Sequence, residues 1–563
     1  MSSKIDHLLD QLDELKGRFD VSANEKLLRL LTRLKQTNFP TAESLIRFHE
    51  ILLFVRAYPR NARLLTLTES ILSSFPERVA TLEEAGIDTS AFFSPEISGI
   101  AGTFVSDTFS YYIVRWLSRK HPAQICFDWD WFEDENRLAE TLPRFMPLLE
   151  EDASVEANVP YVIWLRAARN GKSEITWLIE RFEHLPLSDE AKAELYDSQQ
   201  LYVRWRPAYS ASRTGMRLGS QTFFYHRNPL ISRRDISFID ELLQPAPEIL
   251  HLSRMEGRRI LDMARETSTV RYRELYGFTH GDEARVLYTN VGRGVELFIC
   301  GLPPERRLPV RAYHAAMIFK NSVPVGYFEG LSLFERMESG FNFYYSFREG
   351  ETAWIYAKTL NVLRHLLGVT AFYIDPYQIG HENEEGIESG AFWFYRKLGF
   401  RPVRRDLQSL TEKEEEQIAR RKTYRTPPTV LRRLAEGGMI LELNKTLEGD
   451  WDRFSVRNIG LQVQQRMASR YQGNSELMRQ KCVHEISETL RIRQNVWNEP
   501  ELRALNHLAL VLNMIPDLKS WTKDEQEQLV RVVRAKASSD EANYLKLMQR
   551  HARLRRSSIK LGS

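Results

Sequence analysis

Five short segments between residues 285 and 347 restrict the fold of this chain more than any other feature. They are rich in β-branched and aromatic residues, as strands are, and comprise Val286–Tyr288, Val295–Cys300, Tyr313–Phe319, Val325–Phe334 and Phe341–Phe347. The tripeptide Lys320-Asn321-Ser322 separates two of them, as a hairpin turn does. The spacing predicts an antiparallel meander. Because helical patterns precede and follow it, we expect an α+β fold of several domains.

A helix, a strand and a second helix are predicted directly after the meander. Apolar residues with helical spacing predict a helix over Thr352–Leu367 and a strand follows at Ala371–Ile374. The second helix, over residues 389–398, begins at Ser389 and ends before Gly399. Because a helical crossover joins the strands, Ala371–Ile374 should pair parallel to the last strand of the meander.

The second helix contains four consecutive aromatic residues, Phe392, Trp393, Phe394 and Tyr395. Neighbouring helical residues are about 100° apart around the axis, so all four cannot enter one core. We expect Phe394 and Tyr395 to face inward. Phe392 and Trp393 are expected to cover an interdomain surface.

Two later segments are predicted to complete the sheet as a hairpin. Arg401–Arg405 would form one arm and Met439–Leu443 the other. The charged helix at 411–422 and its basic sequel would then belong to a helical insertion over residues 407–436.

The remaining chain is mostly helical in pattern. Ser22 and Glu25 form a capping box, and Thr41 caps a third helix. The middle region shows a helix at Phe104–Lys120, a strand at Gln124–Trp129 and a helix at Pro160–Phe182, in an order that assigns no fold. The predicted domains are a helical domain at 1–95, an α/β region at 96–265, the sheet domain at 266–445 and a helical region at 446–563.

Composition is that of a multidomain globular protein. The 563 residues exceed one ordinary core, and 43% are hydrophobic and 27% charged. Cys126, Cys300 and Cys482 are far apart, which indicates a reducing compartment and no metal cluster. No apolar run approaches about 18 residues, and the acidic first helix is unlike a secretory signal. We therefore expect a cytoplasmic protein without membrane contact.

Two basic segments are candidates for an acidic partner. Between Ser198 and Arg234 there is no acidic residue, and the arginines from Arg204 to Arg234 alternate with aromatic residues. Guanidinium groups pair with phosphates and rings stack on bases, so RNA or an acidic carrier protein would fit. The alternative is pairing with acidic surfaces of other domains. The C-terminal tail after Glu541 is also basic and is expected to be mobile and solvated, with RNA or acidic protein as a possible contact.

The order of strands, helix, strand, helix and strand, with the phrase Phe394-Tyr395-Arg396-Lys397-Leu398-Gly399-Phe400, resembles the GCN5-related N-acetyltransferase (GNAT) superfamily. Its members commonly end the corresponding helix with Leu-Tyr-x-x-x-Gly-Phe. The resemblance covers residues of about 270–445. It implies a mixed sheet with flanking helices, embedded between all-helical N- and C-terminal regions.

This resemblance also implies a site for acetyl-coenzyme A or another acyl-coenzyme A. The family holds the pyrophosphate on backbone amides of a loop with the pattern Gln/Arg-x-x-Gly-x-Gly/Ala. Here the loop consists of Arg348, Glu349, Gly350, Glu351, Thr352 and Ala353. Its glycine comes one place early, and Glu351 takes the glycine position. Acids also stabilise a helix N-terminus, so phosphate binding and ordinary capping both remain open.

Acyl transfer from a thioester requires an oxyanion contact, a proton donor for the thiolate and a base for the amine. The resemblance assigns the first to a backbone N–H of Phe341–Phe347 and the second to Tyr395, whose alternative is a core tyrosine. Candidate bases are His314, Glu329, Glu338, Asp375, His381, Glu382, Glu384, Glu385 and Glu388. Among them, Asp375, His381 and Glu382 would contact a cationic substrate, or would merely be solvated. Their spacing predicts no metal site.

Two classes of function follow. The first is an N-acyltransferase that moves an acyl group from a thioester donor to an amine; a variant would take an aminoacyl group from transfer RNA, held by the basic-aromatic segment. The second is a catalytically degenerate GNAT-like binding or scaffold protein. Gly350 and Glu351 discriminate between them, because a Glu351 that blocks the anion site excludes the coenzyme.

Overall fold

The computed structural model describes residues 2–132, 134, 136–139, 141–146, 160–219, 222–421 and 423–563. Within these residues the chain forms one sheet of three strands and one of nine, with helices at both ends of the sequence. The α+β class is therefore confirmed. In the described ranges, no helix combines the length and the apolar composition that crossing a membrane requires.

The N-terminal helices are α1 (Ser2–Lys16), α2 (Val21–Lys35), α3 (Ala42–Ala57), α4 (Ala62–Leu72) and α5 (Phe75–Glu84). Thr41 caps α3 as predicted, and its hydroxyl accepts a hydrogen bond from the Ser44 amide at 3.2 Å. The capping box predicted for Ser22 is wrong. Asp20 begins α2 instead, because its carboxylate accepts the Ala23 amide at 2.9 Å and an ionised oxygen is the stronger acceptor.

A small sheet with its own hydrophobic core follows. Its antiparallel strands, in the order β1-β3-β2, are β1 (Val105–Asp107), β2 (Ile125–Phe127) and β3 (Val203–Trp205). The helices around it are α6 (Tyr111–Lys120), α7 (Asn136–Ala139), α8 (Tyr161–Ala168), α9 (Glu174–Glu183) and α10 (Asp189–Asp197).

Two helices predicted in this region have other bounds. The segment predicted as a helix from Phe104 begins as strand β1, and the helix starts only after its cap Ser110. The segment Pro160–Phe182 is divided into α8 and α9. Gly171 between them has φ +79°, a left-handed conformation that interrupts a helix.

The large sheet has the strand order β11-β12-β10-β9-β8-β7-β6-β5-β4. Helix α11 (Phe238–Leu243) precedes its first strand in the sequence, and helices α12 (Arg254–Thr269) and α13 (Tyr276–Thr279) lie between its first and second strands. Its strands are β4 (Leu250–His251), β5 (Leu287–Gly292), β6 (Val295–Cys300), β7 (Ala312–Lys320), β8 (Val323–Leu333), β9 (Arg336–Phe343), β10 (Ala371–Ile374), β11 (Arg401–Pro402) and β12 (Met439–Glu442).

The predicted parallel pair is present, with different partner residues. β9 and β10 run parallel, and Ala371 lies opposite Arg336 and Tyr373 opposite Glu338. The last meander strand was predicted over Phe341–Phe347, but the chain turns at Phe334, which has φ +54°, so β9 begins at Arg336. Pairing with β10 ends at Glu338, while β9 continues to Phe343.

The helices after the meander are α14 (Thr352–Leu367), α15 (Glu384–Glu388), α16 (Ala391–Arg396), α17 (Arg405–Arg420) and α18 (Pro428–Leu434). The predictions for α14 and for strand β10 are confirmed residue for residue. The helix predicted over 389–398 is shorter, since left-handed Gly390 rather than Ser389 precedes it. The helix predicted at 411–422 already begins at Arg405, and α17 and α18 lie between β11 and β12.

The four aromatic residues of α16 are not oriented as predicted. Phe392 and Tyr395 are buried, with 1% and 3% of their surface exposed, whereas Trp393 and Phe394 are half-buried. Residues three apart share a helix face, so Phe392 accompanies Tyr395 into the core and Phe394 does not. The indole Nε1–H of Trp393 donates to the Thr426 hydroxyl at 3.1 Å, which joins α16 to the segment between α17 and α18.

Trp393→Phe should lower the free energy of unfolding by about 0.5–1.5 kcal/mol, because a single neutral hydrogen bond is lost while most of the ring contact remains. Urea unfolding of Trp393→Phe, Thr426→Val and the double variant measures this. The two substitutions should be non-additive. Strict additivity would show that the two side chains do not interact.

The C-terminal helices are α19 (Val456–Tyr471), α20 (Ser475–Leu490), α21 (Glu499–Leu512), α22 (Lys523–Ala535), α23 (Ala542–Arg550) and α24 (Ala552–Gly562). The expectation of a mobile basic tail is wrong, since α24 packs on the fold. Arg555 donates to Glu335 at 2.8 Å and to Asp450 at 2.7 Å, and Arg553 donates to Asp517 at 2.6 Å. Arg553 and Arg555 of this helix are thus paired with acidic side chains of preceding elements.

Candidate functional site

One face of the large sheet is open to solvent across β8, β9 and β10. Side chains alternate along a strand, and the register pairs Glu329 with Gly340 and Tyr327 with Asn342. Glu329, Glu338, Gly340 and Asn342 therefore lie on one side and are half-buried, while their sequence neighbours are buried. We call this surface the front face and define it by Glu329, Leu331, Glu338, Gly340, Asn342 and Tyr373.

Glu329 is held at the front face by a tyrosine. The Tyr313 hydroxyl donates a hydrogen bond to Oε1 of Glu329 and accepts one from the Gly277 amide at 3.0 Å. Tyr313 is on the neighbouring strand β7, and Gly277 is in α13. Burial raises the pKa of Glu329, which makes its carboxylate a stronger base than a solvated one.

Two further carboxyl groups lie at the edge of the front face, and one of them, Glu338, is 3.9 Å from Arg336. Glu338 accepts a hydrogen bond from Arg311 at 3.2 Å, and Asp375, just after β10, is half-buried and accepts the Tyr377 amide at 2.9 Å. Burial raises the pKa of Tyr373 to about 12, and the charges of Asp375 and Glu338 act in the same direction. These carboxylates suit a cationic amine.

Gly340 leaves a shallow space in the middle of the front face. A Cβ atom at this position would lie 3.6 Å from the Glu329 carbonyl oxygen and 3.7 Å from Nε2 of Gln378. A side chain larger than methyl would therefore cover Glu329. The space lies just beyond Glu338, where the pairing of β9 with β10 ends.

His314 does not join Glu329. The register places His314 opposite Gly330 and Ala315 opposite Glu329, so the two predicted bases lie on opposite faces of the sheet. His314 is buried and lines a cavity of about 250 Å³ together with Leu302, Leu366 and Glu541. Burial lowers its pKa. Of these two candidate bases, only Glu329 therefore lies on the front face.

The predicted phosphate loop is closed by the protein itself. Glu351 is fully buried and its carboxylate binds Lys320 at 2.8 Å, Arg293 at 2.9 Å and the Ile231 amide at 3.1 Å. Its own amide donates to the hydroxyl of Tyr58, which directly follows α3, at 3.3 Å. Side chains and backbone from distant parts of the chain thus occupy the start of α14.

The other loop residues also have partners within the chain. Arg348 donates to Glu385 and to the Phe343 carbonyl oxygen at 3.2 Å, and Glu349 pairs with Lys16 at 2.9 Å. The Thr352 hydroxyl donates to the Arg348 carbonyl oxygen at 3.1 Å, and Ala353 is buried. The predicted acids at this helix end therefore serve ion pairing.

Gly350→Ala should destabilise the protein, because the new Cβ would lie 2.0 Å from the Tyr58 hydroxyl oxygen. We expect a loss of about 1–3 kcal/mol in the free energy of unfolding, as for other overpacked sites. Thermal unfolding measures it, with Gly460→Ala as control, since no atom lies within 4 Å of a Cβ at Gly460. Equal stability of the two variants would contradict the contact between α3 and the loop.

Tyr395 and the remaining candidates are placed apart from the front-face carboxylates. Tyr395 packs in the core with ring centroids 6.0 Å from Tyr356 and 5.6 Å from Phe400, and burial raises its pKa. The Tyr356 hydroxyl shares a hydrogen bond of 2.9 Å with the Ser339 hydroxyl, so this cluster adjoins β9. His381 and Glu382 are exposed. Three further acids of that loop are Glu384, which binds Arg432 at 2.9 Å, Glu385 and the exposed Glu388.

Three arginines of the basic-aromatic segment pair with acidic side chains of the protein itself, which is the alternative to a phosphate-bearing partner that the sequence left open. Arg204 pairs with Asp128 at 2.7 Å, Arg213 with Glu50 at 2.8 Å and Arg217 with Glu69 at 2.9 Å. Its exposed arginines are Arg206, Arg217, Arg227 and Arg234. The segment thus ties the small sheet and the N-terminal helices together.

Sequence reasoning missed the residues that position Glu329, namely Tyr313 and Gly277. Only the alternation along β7 and β8 could have suggested Tyr313, and this requires the register. No protein-family model, curated protein or solved structure matches the chain. Among the described residues, no group of three or more His, Cys, Asp or Glu side chains is arranged to hold a metal ion.

Proposed function

We propose that residues 266–445 form a GNAT-like N-acyltransferase domain whose acceptor amine binds at the front face beside Glu329. The strand order supports a GNAT-like topology, since β9, α14 and β10 form a parallel crossover next to an antiparallel meander. The observation that carries the proposal is the half-buried, tyrosine-bonded carboxyl group of Glu329, next to the end of the β9–β10 pairing.

In this mechanism Glu329 acts as the general base. A cationic amine is attracted by Glu329, Glu338 and Asp375, and the Glu329 carboxylate takes a proton from its nitrogen. The nitrogen attacks the thioester carbonyl, the C–N bond forms, and the C–S bond breaks. Tyr395, which the family resemblance offers as proton donor, lies with Tyr356 and Ser339 on the opposite side of the sheet, so the thiolate takes the second proton that the attacking nitrogen releases. The amide product, the thiol and the protonated carboxyl group balance the step.

The donor is proposed to be an acyl thioester, with acetyl-coenzyme A as the first compound to test. Its phosphates would not use the start of α14, because Glu351 fills that position. Two negative groups at one site repel each other, so the phosphates need a different basic surface.

A second candidate is a binding or scaffold protein without catalysis. The buried Glu351 favours it, since this residue occupies the place where the family holds its coenzyme. A scaffold would retain the sheet and its docked helices without any turnover.

The test is an assay of the full chain with acetyl-coenzyme A and either spermidine or a lysine-containing peptide, with products identified by mass. A mass increase of the amine by one acetyl group supports the transferase. Transfer only from aminoacyl-transfer RNA would assign a different donor to the same face. No transfer from either donor, together with saturable binding of an amine, would favour the scaffold.

A further inference from the structure

A basic cleft lies between α6, α12 and the chain around residues 279–306. It has a volume of about 370 Å³, a size typical of sites for small ligands. Six cationic side chains line it: Arg115, Arg119, Lys120, Arg258, Arg265 and Arg306. Acidic residues in its lining number three, namely Asp262, Glu283 and Glu305. Three further acids outside its walls pair with lining arginines, namely Glu183 with Arg119, Asp189 with Arg115 at 3.3 Å and Glu190 with Arg306 at 2.7 Å. Lys120, Arg258 and Arg265 therefore share only the acids of the walls.

The acids are shared, which leaves guanidinium N–H groups for a ligand. Asp262 alone accepts hydrogen bonds from Lys120 at 3.0 Å, Arg265 at 3.1 Å and the Trp116 indole N–H at 2.9 Å. Arg258 lies 3.9 Å from Glu283 and its side chain is 69% exposed. An arginine carries five donors, so one shared carboxylate satisfies only part of them.

A neutral histidine lies in the wall of the cleft. Burial lowers the pKa of His280 to about 4, and the charges of Arg306, Arg265 and Arg115 act in the same direction. The His280 ring therefore stays neutral at pH 7. It stands edge-on to Tyr112 with ring centroids 4.6 Å apart, and Arg306 covers Tyr112 at 5.1 Å. Aromatic surface and positive charge occur together here.

The cleft adjoins the front face through one tyrosine. The Tyr276 ring lies 4.7 Å from the His280 ring and 5.8 Å from the ring of Tyr313, the partner of Glu329. Tyr276 is 40% exposed, and its hydroxyl donates to the Arg306 carbonyl oxygen at 2.7 Å. A ligand anchored in the cleft can thus extend over Tyr276 toward Glu329.

We propose that this cleft binds the phosphorylated part of the acyl donor, a nucleoside diphosphate group. Guanidinium groups pair bidentately with phosphate oxygens, and the ring of Trp116 offers contact to a base. This inference rests on the proposed transferase function for the identity of the donor. The binding of a nucleotide is measurable without any transfer.

The test is isothermal titration of the full chain with ADP and with pyrophosphate at fixed ionic strength. Arg258→Gln and Arg119→Gln should each weaken binding about tenfold, since each removes a charge-assisted hydrogen bond. Arg254→Gln is the matched control: Arg254 lies one turn before Arg258 in α12, is 80% exposed and is 3.8 Å from the same Glu283, yet does not line the cleft. It should bind as the wild type does.

Three outcomes would overturn the inference: no saturable binding at millimolar ADP, equal affinity of all variants, or the same loss in Arg254→Gln as in Arg258→Gln. Glu329→Gln separates this inference from the transferase proposal. It should bind ADP normally, because Glu329 does not line the cleft. Nucleotide binding without acyl transfer would retain the cleft and remove the transferase, and transfer without nucleotide binding would do the reverse.

Discussion

Glu329→Gln is expected to slow acyl transfer by roughly 10²–10⁴-fold while leaving the fold intact, because the amide cannot accept the proton of the attacking amine. The tyrosine contact survives the change, since the Tyr313 hydroxyl can donate to an amide oxygen as it does to the carboxylate. A variant that loses turnover but keeps its stability would therefore show that Glu329 acts in proton transfer and not in holding the fold. Single-turnover rates and melting temperatures of wild type and variant measure both.

Glu296→Gln is the matched control for that experiment. Glu296 is half-buried in the same sheet, accepts a hydrogen bond from the Tyr288 hydroxyl at 2.9 Å, and has a pKa raised by burial, as Glu329 has. It does not belong to the front face. Transfer should be unchanged in Glu296→Gln, and equal rates in the two variants would contradict the assignment of the base.

The pH dependence provides a second criterion. Only the ionised carboxylate is a base, so the rate of wild-type transfer should rise with pH through a pKa above the ordinary 4.5 of glutamate. Glu329→Gln should abolish this rise. A rise that persists in the variant would assign the titration to another group.

Lys320→Met should lower the free energy of unfolding by about 3–5 kcal/mol, because it leaves the buried carboxylate of Glu351 without its fully buried cationic partner. Lys320 and Glu351 are both fully buried and 2.8 Å apart. Urea unfolding measures the loss. Lys445→Met removes the partner of Glu448 from an exposed pair at 3.1 Å and should change stability by about 1 kcal/mol or less.

The double variant Lys320→Met/Glu351→Leu should recover part of the loss, since no fully buried charge then remains at that position. A double variant less stable than Lys320→Met would contradict this reason. It would also show that the other contacts of Glu351, with Arg293 and the Ile231 amide, contribute more than its pairing with Lys320.

The same pair predicts two pH effects of defined sign. Burial lowers the pKa of Lys320 to about 8, against 10.5 for an ordinary lysine, so the unfolded chain binds more protons between these values and the free energy of unfolding rises with pH there. Burial alone would raise the pKa of Glu351. The positive charges of Lys320 and Arg293 outweigh this effect, so the pKa lies below the ordinary 4.5 of glutamate. Its contribution is present above pH 4.5 and lost as pH falls through the lowered pKa.

Local signals predicted the elements, and distant contacts decided the site. The bounds of Thr352–Leu367 follow from apolar spacing and from the left-handed Gly368, and the parallel pairing follows from chain connectivity. The contact of Tyr58 with the Glu351 amide joins residues 293 positions apart, which no local pattern encodes. The residues of the loop therefore resembled the family pattern, but the distant side chains that pack against the loop could not be predicted from the sequence.

The strand register explains why two of the predicted bases lie on opposite faces of the sheet. His314 and Glu329 have strand neighbours of similar character, and only the β7–β8 register places them on opposite faces. That register includes an irregularity between Ile318 and Phe319, which alternation in the sequence does not locate. Helix periodicity correctly predicted that the four consecutive aromatic residues would not all face the core. The choice of the buried pair was wrong in one residue, since Phe392 rather than Phe394 is buried with Tyr395.

The most direct measurement is a crystal structure of the Glu329→Gln variant soaked with spermidine, because it locates the amine without turnover. We expect an amine nitrogen within hydrogen-bonding distance of the side chain at position 329, above Gly340 and near Asp375. Spermidine bound on the opposite face of the sheet, in the cavity beside His314, with the front face empty, would contradict the proposed acceptor site.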